Sequence, residues 1–187
     1  MRRIILTIIL TAGTLGAFAQ PRAAGLRLGI TGFEADYQHT IQKNQFAEGG
    51  IGLDFGYNAN GTPGIKATGT YNFIWARPAW TNKGTWALYA GPGASIGYVN
   101  DEVHFPVGNE IIHYKDNGFM LGLCAQAGLE YTFWFPLQLS IDLRPCFGMH
   151  VSGSHIDAAG NRHSARVGFY DNGLLGFIPH ITARYIF

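Results

Sequence analysis

The 187-residue chain is poor in charge. Asp, Glu, Lys and Arg make up 13% of it, about half of the roughly 25% usual in a soluble domain. Thirteen basic residues against twelve acidic ones leave a formal charge of +1, so no basic field speaks for a nucleic-acid partner. Beyond the first twenty residues no apolar run approaches the ~18 residues that a membrane-crossing helix needs. Glycine and aromatic residues are abundant instead. Glycine occurs 26 times, about twice the usual ~7%, without the strict period of collagen. Aromatic residues reach 14%, which excludes disorder. A single glycine- and aromatic-rich β domain remains.

Met1–Gln20 has the layout of an export signal: Arg2 and Arg3, a short apolar core from Ile4 to Leu10, and Ala17-Phe18-Ala19 matching the small-x-small cleavage rule. Cleavage after Ala19 assigns residues 1–19 to a signal peptide and 20–187 to the mature domain. No cysteine follows the cut, so a lipoprotein route is not indicated.

From Gly25 onward the sequence alternates. Ile51, Leu53, Phe55 and Tyr57 alternate with Gly50, Gly52, Asp54 and Gly56. Ile65, Ala67, Tyr71, Phe73 and Trp75 alternate with Lys66, Thr68, Thr70 and Asn72. The same pattern runs through Trp86–Tyr98, Phe119–Phe133, Leu137–Met149 and Leu175–Phe187. Period two is the mark of a strand with two unlike faces. These runs span 8 to 15 residues, against an ordinary strand of about 5–6. Their polar face carries glycine and mid-strand charge, which fits a filled lumen better than a solvated surface. A secreted sandwich or lipocalin-like barrel would need more Lys and Glu outside. Long strands with one apolar and one small or polar face describe a transmembrane barrel, in which closure pairs every backbone group.

Six long strands end near Asn58, Trp75, Tyr98, Phe133, His150 and Phe187. Between Gly25 and Ile41 the apolar phase slips, from Leu26, Leu28 and Ile30 to Phe33, Ala35 and Tyr37. A tight turn at Thr31-Gly32 accounts for the slip and yields two more strands, Gly25–Thr31 and Phe33–Thr40. The expected architecture is an all-β, eight-stranded antiparallel transmembrane barrel with both termini periplasmic. Gln42–Gln45, Ala76–Gly84 and Trp134–Pro136 become periplasmic turns, while Asn58–Gly64, Val99–Asn117 and Val151–Asn172 become extracellular loops. Trp75, Trp80, Trp86 and Trp134 all fall at the periplasmic ends, where an aromatic girdle sits. Pro92, Pro145 and Pro179 interrupt the pattern, and bulges are expected there.

Three segments carry a family likeness: Asp36-Tyr37-Gln38-His39, the run Pro136-Leu137-Gln138-Leu139-Ser140-Ile141-Asp142-Leu143-Arg144-Pro145, and the terminal Ala183-Arg184-Tyr185-Ile186-Phe187. In these, and along essentially the whole mature chain, the sequence resembles the outer-membrane β-barrel proteins of Bacteroides-type bacteria. The resemblance implies an eight-stranded barrel among outer-membrane lipids, inserted by the outer-membrane assembly machinery, with Tyr185 and Phe187 as that machinery's recognition signal. It supplies no catalytic residues.

Strand phase projects Arg27, Lys66, Arg144 and Arg184 inward, together with Glu34, Asp36, Glu48, Asp54, Glu130 and Asp142. An eight-stranded lumen is just wide enough for side chains, and buried charges must be paired. A closed salt-bridged plug is therefore expected, with a narrow pore as the rival. Cys124 and Cys146 face each other if the Trp134–Pro136 turn pairs Phe133 with Leu137. A cross-strand disulfide and two free small core residues both remain open. His150, His155, His163 and Asp157 gather in one loop region and His104 and His113 in another, but their spacing fits no metal-ligand motif. Ser152, Ser154 and Ser164 lie near those histidines in sequence without a deacylase-like His-x-Ser-Asn motif, which leaves a lipid-modifying enzyme as a second rival behind the pore. The expected product is a monomeric, cofactor-free and non-enzymatic barrel with a structural or surface-binding role, whose loop ligand the sequence does not name.

Overall fold

The computed structural model describes residues 21–30, 32–55, 63–107, 110–153, 155–156, 162–170 and 176–187. Met1–Gln20, with the expected export signal, and Thr31 of the first expected turn lie outside the described residues. Twelve strands are formed among them: β1 (Arg22–Gly29), β2 (Gly32–Gln42), β3 (Gln45–Asp54), β4 (Gly64–Ala76), β5 (Thr85–Val107), β6 (Glu110–Thr132), β7 (Leu137–Leu143), β8 (Cys146–Ser152), β9 (His155–Ile156), β10 (Arg162–His163), β11 (Arg166–Tyr170) and β12 (His180–Ile186).

All pairings are antiparallel, and the sheet closes through β1 and β12. β7 and β8 lie end to end along β6. β11 and β12 lie end to end on their far side, β11 against β8 and β12 against β7. The wall therefore has eight strands: β1 to β6, the β7/β8 strand and the β11/β12 strand. The β9–β10 pair forms a separate two-stranded ribbon. Alternation sets which residues face in. Leu26 and Leu28 on β1 are exposed outside while Arg27 between them is buried, and Leu139 and Ile141 flank buried Ser140 in the same way on β7.

Several boundaries differ from the sequence reading. Val99–Asn117, expected as a loop, continues the β5–β6 ladder out to Val107 and Glu110. A two-stranded ribbon satisfies its own backbone on the paired edges, so it does not need the apolar face that marks the wall. Within Val151–Asn172, also expected as a loop, Arg166–Tyr170 is a wall strand. The strand expected over Leu175–Phe187 starts only at His180, after a short 3-10 turn at Gly176–Phe177. The continuous strand expected from Leu137 onward is broken at Arg144-Pro145.

The prolines cause gaps rather than bulges. β5 and β6 keep one register throughout, with Pro92 opposite Ala125. Toward β4 the ladder skips only the stretch between Thr70↔Gly93 and Phe73↔Ala90, without a shift. Register is likewise the same on both sides of Pro145, from Ala127↔Leu143 to Cys124↔Cys146. Proline adopts extended φ and lacks only its N–H, so one bond is lost and no extra residue is needed. The two register shifts lie instead near turns, between Thr40 and Gln42 and between Ile74 and Ala76. The break in one wall strand meets the break in the next: Arg144 donates its backbone N–H to Gly176 at 3.1 Å, and Gly176 packs on Pro145.

Toward the loop end the circumference narrows. β11 pairs with β8 on one side and, through Phe169 and His104, with β5 on the other, so that β5, β6, β8 and β11 form a ring of four. Val99, Met120, Tyr170, Cys124 and Cys146 fill this neck as a buried apolar cluster.

Glycine permits the close wall contacts. A Cβ on inward-facing Gly148 would lie 2.0 Å from the Leu121 carbonyl oxygen, whereas one on outward-facing Gly69 would meet nothing within 4 Å. In micelle-refolded protein, Gly148→Ala is expected to lose about 1–3 kcal/mol from overpacking. Gly69→Ala is expected to stay within about 0.5 kcal/mol of the parent. Urea unfolding followed by gel mobility reads both.

Candidate functional site in the lumen

The four cations and six carboxylates projected inward by strand phase all lie inside the barrel wall. Arg27, Arg144, Arg184, Asp36, Glu48, Asp54, Glu130 and Asp142 are buried, and Lys66 and Glu34 nearly so. Glu48 on β3 is where they converge. Its carboxylate meets Arg27 at 3.3 Å, Arg184 at 2.8 Å, and Arg144 in a short contact. These arginines come from three wall strands, β1, β12 and the β7–β8 junction, so one carboxylate ties four strands together.

Each arginine also reaches a second acid. Arg27 donates to Asp142, with one bond at 3.1 Å, and Arg144 donates to Glu34 at 2.9 Å. Arg184 bonds Asp36 and extends to Glu130 at 3.9 Å. Lys66 and Asp54 form a separate pair at 2.8 Å nearer the loop end. Pairing of this kind makes burial of charge tolerable, because an ion stripped of water without a partner costs several kcal/mol.

Neutral side chains that the sequence reading did not single out complete the lattice. Gln126 donates to Glu48 at 3.1 Å and accepts from Thr70 and Asn72 at 2.6 and 3.1 Å. Gln38 donates to Glu130 at 2.9 Å, and Tyr89 donates to Asp142 at 3.4 Å. Alternation already placed all of them inward. Nothing in the sequence says which inward polar residue meets which, because partners lie up to 148 positions apart, as Arg184 and Asp36 do.

Cys124 and Cys146 face each other across β6 and β8 and are joined as a disulfide directly after the Pro145 gap. The expected metal and nucleophile groups are only partly described. Ser154 and Asp157 lie outside the described residues, as do the side chains of His104, His113, His155 and His163. His150 is buried and inward-facing. Ser152, expected in a loop, belongs to β8 and shares that face, because the strand continues two residues past His150. Its hydroxyl makes no hydrogen bond, so no His–Ser dyad forms there. Ser164 is exposed. Among the described residues no group of three His, Cys, Asp or Glu could hold a metal ion.

Outside, the polarity is reversed. Leu26, Ile51, Ile65, Leu123, Met149 and Ile181 are among many large apolar side chains turned away from the lumen. Trp75, Trp80 and Trp134 stand exposed at the end that holds the chain termini. Trp86 lies between Trp80 at 5.4 Å and Tyr131 at 4.6 Å, and Lys83 sits 5.4 Å above Trp134.

This reversed barrel has a counterpart among solved structures. Over 90% of this chain and 96% of the other, it superposes on the N-terminal β-barrel domain of Pseudomonas aeruginosa OprF with a TM-score of 0.52 and 9% identity. The two share a fold. A major outer membrane protein of Thermus thermophilus aligns over 91% of this chain and 100% of its own, with a TM-score of 0.47 and 15% identity. No family model matches the sequence, and no curated protein matches it.

The lattice predicts unequal sensitivity to charge removal. Glu48→Gln leaves three arginines short of their common partner and is expected to cost about 3–5 kcal/mol. Lys43→Gln, at an exposed turn, is expected to change stability by less than about 0.5 kcal/mol. Denaturant unfolding in micelles measures both. Replacing Cys124 and Cys146 together by Ala opens a loop of 22 residues and is expected to lower stability by about 3 kcal/mol on the loop-entropy account. Non-reducing peptide mass mapping of the parent should recover the two cysteine peptides joined.

Proposed function

We propose that the chain is an integral outer-membrane β-barrel protein with a closed lumen and a structural or surface-binding role. The observation that carries this reading is the inversion of polarity: the charges are paired inside and the large apolar side chains cover the wall. In water each exposed Leu, Ile or Phe forgoes about 1.5–3 kcal/mol of burial. In a bilayer the same coat is solvated, and the closed ladder leaves no sheet edge unpaired in the wall.

The end with the chain termini would face the periplasm. Trp75, Trp80, Trp86 and Trp134 would then form an interfacial girdle, and the long β5–β6 ribbon and the neck would face outward. Met1–Ala19 is read as the export signal. Tyr185 and Phe187, both exposed on the outside at the end of the barrel's last strand, are read as the recognition pair for the assembly machinery. The likeness to barrel proteins of Bacteroides-type bacteria suggests a Gram-negative source, and the closed wall suits a monomer without cofactor or catalytic activity.

Two features favour a plug over a pore. The Glu48 lattice spans the lumen at mid-height, and the apolar neck blocks it toward the loops. Electrophoresis after membrane fractionation provides the test. A band in the outer-membrane fraction that changes mobility only on boiling is expected, as is the absence of stable single-channel steps in a planar bilayer. A soluble periplasmic protein with no heat-dependent shift would overturn the membrane reading, and steady conductance would overturn the plug.

A further inference from the structure

At the end that holds the chain termini, the lumen opens into a vestibule of about 480 Å³. Small-molecule sites commonly occupy ~300–1,000 Å³, so this volume suits an organic ligand and far exceeds a single ion. Its chemistry is polarised along its depth. Glu130, with a side chain 8% exposed, lines the inner part. Gln38, Gln138 and Thr132 contribute amides and a hydroxyl to the wall. Lys43 in the β2–β3 turn and Arg77 just beyond β4 bring positive charge to the mouth, where Arg77 donates to the Lys43 carbonyl at 2.8 Å.

Charge balance indicates what the inner part lacks. Among the described residues the lumen holds four cations, Arg27, Lys66, Arg144 and Arg184, against the six carboxylates named above. The shortfall is two positive charges. Glu48, Asp36, Asp142, Glu34 and Asp54 each have a cation within 3.3 Å. Glu130 has Arg184 only at 3.9 Å, and otherwise neutral amide donors in Gln38 and Gln138. Glu130 is therefore the most weakly compensated carboxylate, and it borders an open cavity. A carboxylate in that position favours an incoming cation, since its own desolvation has already occurred on folding.

We propose that the vestibule binds a short peptide by its free amino end. The ammonium group meets Glu130, the backbone amides run along Gln38, Gln138 and Thr132, and the carboxylate end lies at Lys43 and Arg77. The opposite charges of the inner part and the mouth select a ligand with an amine at one end and an acid at the other. The amides and hydroxyl between them match the donors and acceptors of a peptide backbone. The proposal does not depend on which compartment the vestibule faces.

Titration of the full mature chain, folded in detergent micelles, with trialanine tests it by calorimetry or amide shifts. Trialanine is expected to bind. N-acetyl-trialanine should bind at least about tenfold more weakly, the effect of losing one charge-assisted hydrogen bond. Trialanine amide should lose about three- to tenfold, and the double variant Lys43→Glu, Arg77→Glu should abolish the difference between the acid and the amide. Glu130→Gln should bind trialanine no better than the parent binds the acetylated peptide. If that variant fails to fold, the comparison of free with acetylated peptide on the parent decides alone. Equal affinity for the two peptides, or no binding up to ~10 mM, would overturn the proposal.

Discussion

The Glu48 carboxylate organises the interior. Arg27, Arg144 and Arg184 reach it from separate wall strands, and each passes on to a further acid on another strand. In a soluble protein a shared apolar core holds distant strands together. Here the apolar surface is on the outside of the wall, so it does not select one closure over another. Directional contacts across the lumen supply that selection. An arginine fork satisfies two acids only in one register, and a slip of one residue would turn every one of these groups toward the outer face.

The narrow lumen explains the rest of the composition. Long charged side chains fit an eight-stranded tube only if neighbouring inward positions are small. Gly25 is flanked on its two sides by Asp36 and Arg184, and a Cβ on Gly50 would come within 2.7 Å of the Glu34 carboxylate. The glycine excess and the low charge content are thus two aspects of one geometry. Ten of the 25 charged residues lie in the lumen, and glycine makes room for them.

Much of the wall was legible in the sequence, because period-two alternation reports which side of a strand is apolar whatever the partner. It placed Arg27, Glu48 and Arg184 inward, and the Trp134–Pro136 turn set the register that brings Cys124 opposite Cys146. It was not informative where strands leave the apolar belt. The β5–β6 ribbon beyond Tyr98 runs on past the eight-stranded wall, and β11 is only five residues long, so the alternation of its exposed Val167 and Phe169 is too short to read as a strand. The breaks at Pro145 and before His180 were hidden for a different reason. Pro145 interrupts pairing without changing register, and from Tyr170 to His180 ten positions stand against the six from Gly148 to Asp142, an even excess that leaves the alternation in phase. The pairing of particular acids with particular arginines, and the vestibule beside Glu130, depend on three-dimensional closure and have no local signature.

The ring formed by β5, β6, β8 and β11 gives the molecule two diameters: eight strands around the lower lumen and four around the neck. The narrow ring draws on β5, β6, β8 and β11 and on none of the first four strands. Its topology is that of a small cylinder set on top of a larger one, with β5 and β6 running through both. Val99, Met120 and Tyr170 pack together inside the narrow ring, above the charged lower lumen. Whatever the loop end presents to its surroundings stands on a ring narrower than the wall below it and tied across β6 and β8 by a disulfide.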